Sequence, residues 1–168
     1  RTPKGDIRVF RAHQAAKESI KAMRPEIQVG ITLSLHDLQA LPGGQAFAEK
    51  AWDEEFRHYL PFIQGDDFLG GQNYTRTQYG PEGQLPCPEG AELTQMDYEF
   101  YPEALEHVIR KVHEDFQSNL IVTENGIATS DDTRRVEFIR RALQGVENCL
   151  NDGKLRSEER FSRNAETD

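Results

Sequence analysis

The stretch Leu120-Ile121-Val122-Thr123-Glu124-Asn125-Gly126 sets one carboxylate in a position where it can do chemistry. Leu120 to Thr123 is short, apolar and β-branched, the composition of a buried strand. Asn125 and Gly126 tolerate positive φ and end that strand sharply. Glu124 then sits at the strand's carboxyl end beside a tight turn. A carboxylate there is costly unless a partner satisfies it. In parallel α/β folds, that end of the strands carries the reacting groups. The plainer alternative is a Glu solvated at a loop mouth. His36-Asp37, at the end of another strand-like run, leaves the same two options open: a site, or a loop cap.

These residues need elements to hold them. Residues 7 to 23 read as a helix with Val9, His13, Ala16, Ile20 and Met23 on one stripe, closed by Pro25. His13 on that stripe reads as packed at the core edge. Residues 27 to 35 read as a strand. Val29, Ile31, Leu33 and Leu35 share one face, and the small Gly30, Thr32 and Ser34 share the other. Helices over the first face and a crowded interior on the second would give this alternation, as in a closed barrel. Pro42-Gly43-Gly44 is a turn, and residues 45 to 60 read as a helix whose stripe includes Trp52, a core residue.

A second strand covers residues 68 to 74, and a long loop follows over residues 76 to 97. Pro102 suits the first turn of a helix with Leu105, Val108, Ile109, Val112 and Phe116 on its apolar face. His107 and His113 fall off that stripe and read as solvated. After the Glu124 strand, Ser130-Asp131-Asp132 caps a last helix, with Val136, Ile139, Leu143, Val146 and Leu150 as its stripe. Asn151-Asp152-Gly153 ends it. Helices alternating with short strands imply a parallel sheet.

Composition narrows the function. A net charge of -9 and a pI near 5.1 argue against nucleic acid or an anionic membrane as partner. Mean hydropathy is -0.73, and no apolar run approaches the ~20 residues of a membrane helix. Arg1 to Gly5 is polar, with no signal-peptide pattern and no initiating Met. Cys87 and Cys149 have no metal spacing and read as free thiols of a reducing, cytoplasmic compartment. No cofactor motif or metal site is expected. Residues 154 to 168 are charged and nearly devoid of apolar side chains, the composition of a disordered tail.

Five segments, in order, resemble glycoside hydrolase family 1, the β-glucosidase family. They are Asp66-Asp67-Phe68-Leu69-Gly70, Tyr101-Pro102-Glu103-Ala104-Leu105, Ile121 to Gly126, Asp131 to Arg135, and Asn151-Asp152-Gly153. The resemblance covers roughly Phe10 to Gly153. It implies a partial (β/α)8 TIM barrel over residues 1–153, from about the family's fourth helix to its seventh. It also implies retaining hydrolysis of β-glucosides, with Glu124 as nucleophile. Such chemistry needs a second carboxylate ~5–5.5 Å away to protonate the leaving oxygen. Tyr74 resembles the tyrosine that donates to the nucleophile. Aligned on Tyr74 and Thr75, Gln72 replaces the family's substrate-side Asn; with the register slipped by one, Asn73 takes that place.

The family's acid/base lies in a Thr-Phe-Asn-Glu-Pro segment, and none of the eight prolines here follows a Glu. The chain is therefore expected to carry the nucleophile without its acid/base, and to be inactive alone. Its partner would be a β-linked sugar or glycoside, and its open sheet edges invite self-association. The competing expectations are a non-catalytic remnant of the same family, kept for binding or without function, and an unrelated doubly wound domain. The latter lacks a phosphate-cradling glycine loop.

Overall fold

A computed structural model describes residues 3–152; the expectation for residues 154–168 lies outside them. Three parallel strands form the main sheet, in the order β1 (Gly30–Ser34), β3 (Phe68–Asn73), β6 (Leu120–Asn125). Between them the chain crosses through α2 (Gln45–Glu55), α3 (Leu60–Ile63) and α4 (Ala104–Asp115). α1 (Pro3–Met23) precedes the sheet and α5 (Asp132–Asn151) follows it.

The alternation in β1 is explained by the sheet. Leu33 and Leu35 are buried beneath Trp52, Phe56, Tyr59, Ile63 and Phe116, and Ile31 packs against them. Thr32 lies on the other face beside Gly70, where a Cβ on the glycine would stand 2.4 Å from Thr32 Oγ1. A second cluster joins α4 to α5 through Leu105, Ile109, Phe138, Ala142 and Cys149. Leu120 touches both clusters.

Several expectations from sequence are corrected. The helix expected over residues 45 to 60 breaks at Phe56, where φ is -134°. Pro61 is the cause: inside a continuous helix it would delete a hydrogen bond and clash with the preceding turn. A 3₁₀ turn (Arg57–Tyr59) resets the chain so that Pro61 falls in the first turn of α3. The loop expected over residues 76 to 97 begins with two strands, β4 (Arg76–Gly80) and β5 (Gly83–Gln84). They join β2 (Asp37–Ala40), which pairs parallel with β4, in a second sheet. Both ribbons therefore run on past the main sheet's carboxyl end.

α1 buries Phe10 rather than Val9 and Met23, which are exposed. His13 is held by Asp66 at 2.7 Å. β6 is an edge strand rather than a buried one, with Ile121 45% and Val122 38% exposed. It also runs through Glu124 and Asn125 instead of stopping before them.

On α5 the buried side is Phe138, Ala142, Gly145 and Cys149. The expected stripe is turned outward, with Val136 66% and Leu143 60% exposed and only Val146 packed against the core. Close approach of α4 selects the small-residue side: a Cβ on Gly145 would meet Glu106 Cβ at 2.8 Å. Cys87 is exposed and Cys149 buried, both free. Among the described residues no helix is long and apolar enough to cross a membrane.

Candidate active site

The carboxyl ends of β3 and β6 bring three side chains together. Pairing is regular up to Gly71↔Val122, and then shifts so that Gln72 stands opposite Glu124 and Asn73 opposite Asn125. Tyr74 follows directly on β3. Its hydroxyl donates to Glu124 Oε2, and Gln72 Nε2 donates to Glu124 Oε1 at 2.6 Å. Glu124 is open to solvent. The bond to Glu124, with burial and the charge of Glu124, pushes the Tyr74 phenol up to about 12. Tyr74 therefore stays a neutral donor throughout the ordinary pH range.

Asn73 is turned away from this cluster. Its side chain is 1% exposed, and Nδ2 donates to the Leu35 and Thr75 carbonyls at 2.9 and 3.2 Å. It ties β3 to the β1–β2 ribbon. Its Oδ1 is, among the described residues, a buried polar atom without a partner. The backbone carbonyl of Asn73 accepts from Asn125 Nδ2 at 2.9 Å, which closes the two strand ends together.

A strap over residues 92–100 crosses the same rim. Gln95 N donates to the Ala128 carbonyl at 3.0 Å, and Thr75 Oγ1 donates to the Glu99 carbonyl at 2.9 Å. Thr94 Oγ1 accepts from the amides of Met96 and Tyr98, in a turn where Asp97 adopts φ 57°. Tyr98 is exposed, and its charge, if ionised, would oppose ionisation of Tyr74. Sequence reading missed Tyr98 because it falls just past the loop expected over residues 76 to 97, in a stretch given no element; its place next to Glu99-Phe100-Tyr101-Pro102 was the available signal.

His36 and Asp37 do not reach this cluster. Asp37 accepts from Gln39 and pairs with His107 at 2.7 Å, so His107 is bonded rather than merely solvated. Arg76 extends the network to Glu99 and Gln39 and lies over the Tyr101 ring at 3.9 Å. This braces the second sheet. A cavity of about 260 Å³ between α2 and α4, lined by Asp37, Trp52, His107 and Lys111 among others, shares no residue with the Glu124 cluster. No group of three or more metal-binding side chains is gathered among the described residues.

No family model matches the chain. It is 25% identical over 144 residues to the 6-phospho-β-galactosidase of Lacticaseibacillus casei strain BL23, a match covering 77% of this chain and 30% of that protein. Among solved structures, β-glycosidase BGL167 is 46% identical with a TM-score of 0.83, over 90% of this chain and 36% of that one. The β-glucosidase 1317 is 40% identical with a TM-score of 0.74, over 86% and 36%. The chain thus spans about a third of the length of the proteins it matches. In sequence and in fold it resembles part of glycoside hydrolase family 1, the β-glucosidase family, as a partial (β/α)8 barrel.

Proposed function

We propose that this chain supplies the nucleophile side of a retaining β-glycosidase site. Glu124 attacks the anomeric carbon of a β-glucoside, and Tyr74 holds and orients the carboxylate. The observation that carries this reading is the Tyr74–Glu124 hydrogen bond at the carboxyl ends of adjacent parallel strands. The acid/base comes from outside these residues. General acid help is worth roughly 10²–10⁴ in rate, and oriented binding ~7–11 kcal/mol. The chain on its own is therefore expected to leave an aryl β-glucoside uncleaved. Residues 1–153 act as one partial-barrel unit, working in the cytoplasm with both cysteines reduced.

Of the two sugar-binding candidates, only Gln72 opens onto the site; Asn73 acts as a buried tie. The kinship with the β-glucosidase and β-glycosidase structures, at 40% and 46% identity, supports a β-linked glycoside as substrate.

The test is a chimera in which residues 10–152 replace the matching part of β-glycosidase BGL167. The chimera is expected to hydrolyse an aryl β-glucoside. Its Glu124→Ala form should be inactive until azide is added, and should then give the α-glycosyl azide by a single inverting attack. Hydrolysis by the Glu124→Ala chimera without azide, or a β-configured azide product, would overturn the assignment.

A further inference from the structure

β6 carries one residue more than β3 across their shared ladder. Val122 pairs with Gly71 and Glu124 with Gln72, which leaves Thr123 opposite no residue. In an unbroken strand Leu120, Val122 and Glu124 would share a face. Leu120 packs into both helix-side clusters, so a regular β6 would aim Glu124 toward the helices. The extra residue reverses the alternation from Glu124 onward, as a one-residue shift in a strand must. Glu124 then shares a face with Gln72, and through Gln72 with Gly70 and Thr32.

Gln72 thereby becomes the residue directly beside Glu124. Its Nε2 lies 2.6 Å from Oε1, while Tyr74 occupies Oε2. One donor would leave the carboxylate free to turn about its Cγ–Cδ bond. Two donors on two oxygens fix its plane. Hydrogen bonds to a charged acceptor are worth more than neutral ones, which favours this use of the amide over one shared with solvent.

We propose that Gln72 is a positioning residue that holds Oε1 of Glu124 before any sugar arrives, rather than a sugar-binding residue in its own right. This rests on the reading of Glu124 as the nucleophile. Holding the carboxylate in plane also holds it against Tyr74, so the two bonds support each other.

The test uses the chain as it stands and needs no turnover. Tyr74 ionisation is followed by tyrosinate absorbance in rapid pH jumps, and assigned by difference from Tyr74→Phe. Gln72→Met keeps the length of the side chain and removes the donor. It is expected to lower the Tyr74 midpoint by about one unit, since a looser Glu124 stabilises the neutral phenol less. If circular dichroism shows that Gln72→Met does not fold, Gln72→Ser replaces it. A Tyr74 midpoint unchanged in a folded Gln72 variant would overturn the proposal. Azide rescue in the chimera can succeed while this titration fails, and the reverse, so the two readings are judged separately.

Discussion

Asp115→Ala removes the acceptor of a buried indole. Trp52 is 2% exposed, and its Nε1 donates to Asp115 Oδ2 at 2.7 Å. Arg57 Nε donates to the same oxygen at 2.9 Å. After the substitution Arg57 keeps Glu49 and Asp53, at 2.7 and 3.0 Å, whereas Trp52 loses this acceptor. A buried donor left unpaired costs ~1–3 kcal/mol. The partly exposed Arg57–Asp115 pair adds about 0.5 kcal/mol. Water entering the space vacated by the carboxylate offsets part of the loss. The net expectation is about 1–3 kcal/mol, or a fall in melting temperature of roughly 2–12 °C for a domain of this size. Asp115→Asn keeps an oxygen acceptor and should cost about half as much. Trp52 is the only tryptophan, so its emission reports denaturant unfolding of this core without a label. A loss under about 0.5 kcal/mol for Asp115→Ala, or equal losses for Ala and Asn, would refute the reasoning.

Phe138, fully buried and edge-on to Phe100 at 5.4 Å, anchors the α4–α5 cluster; Phe138→Ala should cost ~3–5 kcal/mol in urea unfolding. Gly70→Ala places a methyl 2.4 Å from Thr32 Oγ1 and should cost ~1–3 kcal/mol, partly restored in a double variant with Thr32→Ala. The Tyr74 phenol is raised from 10.0 to about 12, chiefly by its bond to Glu124, so its stabilising effect is complete below pH 10 and lost as pH rises through about 12. The stability difference between the parent and Tyr74→Phe should vanish over that window. Leu143→Lys, on the outward stripe of α5, should change stability by under ~0.5 kcal/mol and raise the concentration at which the chain stays monomeric in light scattering.

The parallel order and the meeting of Tyr74 with Glu124 were legible because each rests on local signals. Short β-branched runs, Gly and Asn breaks and helical stripes recur in a βα rhythm, and the family motifs fix which strand ends matter. What the sequence hid depends on neighbours. On α5 the larger side chains suggested Val136, Ile139 and Leu143 as the buried stripe, but helix-to-helix distance favours Gly145 and Ala142. The apolar run of β6 suggested a buried strand, whereas among the described residues β6 lies at the edge of its sheet. The second sheet was hidden because β4 is polar, with Arg76 and Gln78 engaged in side-chain bonds rather than in a core. The choice between Gln72 and Asn73 turned on a ladder irregularity, which residue types do not encode.

That irregularity also makes chain length, more than residue identity, the constrained quantity between Leu120 and Glu124. Val122 and Thr123 are exposed, so many side chains fit there without touching a core. Removing or adding one residue is different in kind, because it sends the carboxylate to the opposite face of the sheet whatever the neighbours are. Segment exchanges with relatives must therefore match the count from Leu120 to Glu124 before they match any side chain.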